Sequence, residues 1–140
     1  MTQRQSLVLG FDPGREKCGL ALVDPLEGLL YRQVVTTDQV VAAVIHLHEI
    51  WGFTRVVLGN QTMSKPWKQK LEAAVPTCSI ILVDERNSSL EARQRYWDYH
   101  PPRGWQRCLP KGLRVPPQPY DDIVALILVE RFWQREATHA

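Results

Sequence analysis

Apolar residues run from Leu7 to Phe11, broken only by Gly10, and stop at Asp12. That pattern predicts a strand buried on both faces and ending at a carboxylate. Pro13-Gly14 turns the chain, and a second apolar run from Cys18 to Val23 makes the pair a hairpin with a polar tip at Gly14 to Lys17. A third strand is predicted from Leu29 to Val35. Val40, Val44, Leu47 and Trp51 then recur at i, i+4, i+7 and i+11, the stripe of an amphipathic helix, with Thr37 or Asp38 as its cap and Gly52 as its stop. Arg55 to Leu58 and Ser79 to Val83 are short strands, the first ending at Gly59 and the second closed by Asp84-Glu85, and a helix begins near Pro66 between them. Ser88-Ser89-Leu90-Glu91 has capping-box spacing, so a further helix runs from about Ser89 toward Tyr99. A last helix spans Tyr120 to Glu136.

Hairpin strands pair antiparallel, whereas strands alternating with helices pair in parallel. The order therefore predicts an α/β domain with a central mixed five-stranded sheet flanked by helices. A chain of 140 residues, 44% of them hydrophobic, suits one domain, 1–140, with a self-sufficient core. The segment from His100 to Pro119 holds six of the ten prolines and has no periodicity, as expected of a long irregular loop within that domain.

The longest unbroken apolar stretch, Ile123 to Val129, is seven residues, against roughly 20 for a membrane span. The apolar run near Met1 is too short for a signal peptide, so a cytoplasmic protein with no membrane partner is expected. Cys18, Cys78 and Cys108 lack metal or redox spacing and are expected to be reduced packing residues. The net charge of +2 is uninformative, but its distribution is not: the 100–119 loop carries Arg103, Arg107, Lys111 and Arg114 with no acid, while the other 13 basic residues face all 15 acids. The positive charge is local.

Three acidic positions, Asp12, Glu85 and the Asp121-Asp122 pair, lie at the ends or edges of apolar elements, where a carboxylate is costly unless compensated. Glu85 follows a strand that reads as parallel, and ligands bind beyond the carboxyl ends of such strands. Asp121, Ala125, Leu128 and Phe132 form one helical stripe, which puts Asp121 in line with the face packed on the sheet. Converging carboxylates would repel one another unless a hard cation bridged them. Mg²⁺ or Mn²⁺ fits, and two such ions can drive phosphodiester hydrolysis. The plainer readings are a turn residue for Asp12, an N-cap for Asp121 or Asp122, and a surface pair of Glu85 with Arg86.

Leu9-Gly10-Phe11-Asp12-Pro13-Gly14, with Gly19 and Ala21, resembles the first motif of RNase H-like nucleases of the YqgF/RuvX and RuvC groups. Asp84-Glu85-Arg86-Asn87-Ser88-Ser89-Leu90-Glu91-Ala92-Arg93 resembles the DER(x)(S/T)(S/T)xxAR segment of the YqgF/RuvX family, and Asp121 with Ala125 and Glu130 is similar to its last motif. The resemblance spans nearly the full chain. It implies an RNase H-like fold and a metal-dependent nuclease in which Asp12, Glu85 and Asp121 are the catalytic and metal-binding acids. The family is described as acting on Holliday junctions and, in bacteria, as maturing the precursor of 16S ribosomal RNA. Three departures stand out: Gly59 to Pro66 replaces the family's usual Gly-Leu-Pro loop, Asp12-Pro13-Gly14 is the RuvC-like spelling of the first motif, and the last motif has two adjacent acids in place of one. Adjacent helical residues point about 100 degrees apart, and Asp121 is the chosen ligand.

A nucleic-acid partner would meet Arg15 and Lys17 on the hairpin tip, Arg86 beside Glu85, and Arg103, Arg107, Lys111 and Arg114 on the loop, with Trp105 able to stack on an unpaired base. The expected function is endonucleolytic processing of structured RNA by a monomer or homodimer. The alternatives are a junction resolvase, which needs two sites on a symmetric dimer, and a binding protein with a vestigial site. Asp12-Pro13-Gly14 also resembles the phosphate-gripping hairpin of actin-like sugar kinases, which need a second lobe and a second phosphate loop.

Overall fold

A computed structural model describes residues 6–60, 63–100, 108 and 120–138. The strands are β1 (Val8–Asp12), β2 (Lys17–Asp24), β3 (Gly28–Thr36), β4 (Arg55–Gly59) and β5 (Ser79–Val83), and the helices are α1 (Val40–Trp51), α2 (Ser64–Ala74), α3 (Ser88–Tyr99) and α4 (Asp121–Thr138). They form one five-stranded sheet in the order β3-β2-β1-β4-β5. The hairpin strands are antiparallel, and β1, β4 and β5 are mutually parallel. This is the expected α/β architecture with a mixed sheet.

The two-residue period of the strands sorts side chains onto two cores. Leu9, Phe11, Leu20, Leu22, Val56 and Leu58 pack with Val40, Val44 and Leu47 of α1 and Trp67 and Leu71 of α2. Val8, Ala21, Val23 and Val57 pack on the opposite face with Ala92, Tyr96 and Trp97 of α3 and Ile123 to Val129 of α4. The buried α1 positions are those of the sequence stripe. The expected core tryptophans Trp51, Trp97 and Trp133 pack in these clusters, and Trp67, which the sequence did not single out, lies 5.0 Å from the Phe11 ring.

On the second face the helix comes unusually close. A Cβ at Gly10 would collide with the Ala125 backbone, and one at Gly19 with the Asp121 backbone. These two positions need glycine for close approach. They let α4 lie directly on β1 and β2 and bring its first residue to the end of β1.

The caps expected at α1 and α3 are not formed. The N-cap of α1 is Gln39, and neither it nor Asn87, the N-cap of α3, makes a side-chain cap bond. The Thr37 hydroxyl instead lies 3.2 Å from the Gly14 carbonyl and 3.1 Å from that of Arg15. It fastens the hairpin tip. At α3 the capping box fails because Glu91 is drawn sideways to Arg95 and to Arg131. Asn87 turns the chain at φ 62°, a left-handed conformation that asparagine tolerates. Cys18 and Cys78 are buried as expected, whereas Cys108 is exposed and is not a packing residue. No helix among the described residues is long and apolar enough to cross a membrane.

Candidate active site

The first acid is set by β1. Four of its five residues are fully buried, and Asp12 is where the strand emerges. Its cross-strand partner is Gly19, the residue against which the Asp121 backbone rests. The pairing of β1 with β2 and the seating of α4 thus place Asp12 and Asp121 together although they are far apart in sequence. Glu85 arrives from the end of β5, two strands away from β1, and its carboxylate occupies the space that a side chain at position 59 would fill. Gly59, at the end of the intervening β4, is therefore part of the site by its lack of a side chain, a role visible only in three dimensions.

Asp12, Glu85 and Asp121 line a single pocket of about 390 Å³, together with Pro13, Gly59, Met63, Ser64, Asn87, Ser88 and Ser89. The plainer readings of Asp12 as a turn residue and Glu85 as a partner of surface Arg86 do not describe this arrangement. Burial, then the charges of Asp121 and Glu85, push the Asp12 carboxyl up to about 8. Burial and the neighbouring Asp122 raise Asp121, and only Lys17 opposes them. Positive charge near the pair is too slight to offset burial and repulsion.

Asp122 has a different task. It is almost fully buried, accepts a bond of 2.9 Å from Arg32 of β3, and caps its own helix through the Ile123 amide at 2.9 Å. The Arg32 guanidinium also lies over the Tyr99 ring, 4.8 Å from its centroid. Asp122 fixes the first turn of α4, and its neighbour faces the pocket. Arg95 holds Glu130 through two bonds, of 2.9 and 2.5 Å, and Arg131 reaches Glu91 and the Asp84 carbonyl. These contacts clasp α3 to α4 and steady the segment that carries Glu85. Asp84 accepts the Arg86 amide in a local turn and, like Arg86, is not part of the pocket lining.

The other expected contacts are distributed unevenly. Arg15 and Lys17 are exposed on the hairpin tip, and Arg86 is exposed beside the pocket. Arg103, Trp105, Arg107, Lys111 and Arg114 lie outside the described residues, as do Gln61 and Thr62 of the atypical loop. A preformed ligand triad is not found: among the described residues no three His, Cys, Asp or Glu side chains are gathered tightly enough to hold one ion. The donor chemistry nevertheless suits a hard cation, because three carboxylate groups face one space, burial disfavours the ionised forms of Asp12 and Asp121, and positive charge there would relieve both effects.

With this geometry in hand, comparison with solved structures identifies the class of fold. The structure of RuvC from Thermus thermophilus matches over 94% of this chain and 97% of that one, with a TM-score of 0.59 and 18% sequence identity. The fold is RNase H-like. A structure described as that of a candidate sugar kinase from Cytophaga hutchinsonii (13% identity, 65% of this chain, 39% of that one) and a ROK family glucokinase from Streptomyces griseus (18% identity, 64% and 36%) each reach a TM-score of only 0.43. No family model matches the sequence, and no curated protein does.

Proposed function

We propose that this chain is a divalent-metal-dependent endonuclease in which Asp12, Glu85 and Asp121 are the catalytic and metal-binding residues. One observation carries the reading: three acids from β1, the end of β5 and the start of α4 face one pocket, and burial with mutual repulsion drives the Asp12 carboxyl up to about 8. Such a site is unfavourable for the isolated protein and suited to holding Mg²⁺ or Mn²⁺. Two such ions, when bound, activate water and neutralise the leaving oxygen of a phosphodiester.

The chain's own contribution is placement. Asp12 and Asp121 are held by the register of β1 with β2 and by the close seating of α4, and Arg32 with Asp122 keeps the helix start from turning. Glu85 enters over Gly59. Arg15 and Lys17 supply positive charge for a nucleic-acid backbone from the hairpin tip, and Arg86 does so beside Glu85. The basic loop residues Arg103, Arg107, Lys111 and Arg114, with Trp105, extend the proposed interface.

The substrate we assign is structured RNA, the precursor of 16S ribosomal RNA, because the Asp84 to Arg93 segment has the YqgF/RuvX form. A second reading, cleavage of branched DNA, is favoured by the nearly end-to-end likeness to RuvC and would require a symmetric dimer. The test is incubation of the pure protein with ribosomal RNA precursor, a four-way DNA junction and single-stranded controls, with Mg²⁺ or with chelator. Chelator-sensitive cleavage of the precursor that Asp12→Asn abolishes is the expected result. Preference for the junction transfers the assignment to the second reading, and absence of Mg²⁺-dependent cleavage of every substrate overturns both.

A further inference from the structure

Asp12 is fixed by the register of β1 with β2, but Glu85 lies beyond Val83, the last residue of β5, where the ladder no longer holds the backbone. β5 is an outer strand, bonded to β4 along one side. The Val83 carbonyl points toward that side and accepts the Asn60 amide at 3.0 Å. Because successive carbonyls of a strand point to opposite sides, those of Leu82 and Asp84 point to the open edge. Carbonyls on an edge need donors from elsewhere.

α4 supplies both donors. Arg135 donates to the Leu82 carbonyl at 3.0 Å, and Arg131 donates to the Asp84 carbonyl at 3.0 Å. The spacings match: helix residues one turn apart are separated by about 6 Å along the axis, and alternate strand residues by about 6.6 Å. Two guanidinium groups on successive turns therefore meet two edge carbonyls much as the amides of a further strand would. Arg131 is anchored in turn by Glu91 of α3 at 3.3 Å, and the Arg135 guanidinium lies 5.8 Å from the centroid of the Phe132 ring. After Glu85, its own carbonyl accepts the Ser88 amide at 3.0 Å. The backbone of Glu85 is thus held on both sides, and the hold on the strand side comes from α4.

We infer that Arg131 is a positioning residue for Glu85, acting through the Asp84 carbonyl, with Arg135 as the rung behind it. The inference rests on the nuclease reading and deepens it: one rigid helix sets two of the three acids, Asp121 at its own start and Glu85 through a guanidinium further along. Arg131 does not line the pocket, so its influence on the reaction passes through Glu85.

The test is a double-substitution cycle in the full chain, on whichever of the ribosomal RNA precursor and the four-way junction wild type cleaves. Arg131→Met keeps the stem of the side chain, suits a helix and removes the donors. The expected result is kcat lowered about tenfold with KM changed by at most about twofold, inside the 10²-fold that a misplacement of about 1 Å can cost. In a Glu85→Gln background the same change lowers the residual rate by at most about twofold, because a group that acts through Glu85 has no carboxylate left to position. Arg131→Lys, which still donates to the carbonyl, recovers most of the rate. Glu91→Gln removes the ion pair, leaves the carbonyl bond and cleaves as wild type does. Arg135→Met lowers kcat less than Arg131→Met, since its carbonyl lies further from Glu85. An equal loss from Arg131→Met with and without the Glu85 carboxylate overturns the inference, because a purely structural role is additive. An undiminished kcat overturns it too, as does a Glu91→Gln variant that loses as much as Arg131→Met. If circular dichroism shows Arg131→Met unfolded, Arg135→Met run through the same cycle decides in its place, since its loss must also vanish with the Glu85 carboxylate. A wild type that cleaves neither substrate is a separate failure: it overturns the nuclease reading and removes the role of Arg131 with it.

Discussion

The two faces of the sheet are built by opposite means. Against α1 and α2 the strands present bulk, with Leu9, Phe11, Leu20 and Leu58 filling the space beneath Val44, Trp67 and Leu71. Against α4 they present absence, with Gly10 and Gly19 where side chains would collide with helix backbone. The first face supplies buried apolar area and asks only that volume be conserved. The second fixes the distance of one particular helix, and with it the position of Asp121. Both faces bury an apolar core, but only the second also positions an acid, so the two respond differently to substitution.

The largest effect is expected at the acids, where the comparison breaks if either variant behaves like the core. Asp12→Asn and Glu85→Gln lower Mg²⁺-dependent cleavage by about 10²-fold or more, the scale of losing one preorganised electrostatic group, while circular dichroism shows the fold intact. Undiminished cleavage by either variant removes that acid from the mechanism.

Next come paired substitutions on the two faces. Leu71→Ala costs about 2–5 kcal/mol in denaturant titrations through the cavity it leaves, yet the folded fraction cleaves normally. Gly19→Ala costs about 1–3 kcal/mol or more through overpacking, and its folded fraction loses cleavage because the Asp121 backbone must retreat. If Gly19→Ala unfolds the chain, Gly59→Ala serves the same purpose by displacing the Glu85 carboxylate alone. Normal cleavage by every folded glycine variant collapses the distinction between the faces.

A pH series in chelator sharpens it further. The folded protein holds the Asp12 proton up to about pH 8, whereas the unfolded chain releases it near 3.8, the ordinary value. Between those limits unfolding releases a proton, so stability is greatest at the acid end and falls as pH rises, by at most about 1.4 kcal/mol per unit. Thermal melts from pH 5 to 8 should show this fall, Asp12→Asn should flatten it, and at pH 8 that variant should melt higher than wild type. A wild-type melt independent of pH contradicts the raised carboxyl.

The smallest effect separates the adjacent acids. Saturating Mg²⁺ at about 100 times its dissociation constant stabilises the native chain by about 2.7 kcal/mol. Asp121→Asn should diminish this gain more than Asp122→Asn, which instead lowers stability without metal by about 1–3 kcal/mol as Arg32 loses its partner. Equal metal responses would mean that the two acids share one role.

The strands, α1 and α4 were legible from apolar runs and stripes, whereas α2 and α3 were legible from helix-start signals, Pro66 for one and Ser88 to Glu91 for the other. Asp12, Glu85 and Asp121 were legible as acids at the margins of apolar runs, and their arrival at one pocket followed from strand order. What escaped was set by groups remote in sequence. Thr37 gives its hydroxyl to the hairpin tip and not to α1, Glu91 is claimed by Arg131 of α4, and Asp122 finds Arg32 across 90 residues. The tasks of Gly10, Gly19 and Gly59 are defined by what passes over them, which no local pattern encodes.

The pairing of Asp12 with Gly19 carries a last consequence. Because successive strand residues point to opposite sides, sliding β2 by one position along β1 would bring Cys18 or Leu20 to the place where α4 touches down, and neither side chain fits there. The turn between the two strands is therefore a ruler: adding or deleting residues from Pro13 to Glu16 is harmless while the ladder keeps its alignment and ruinous once it slips. Engineers grafting a new loop at this tip should count alignment before composition.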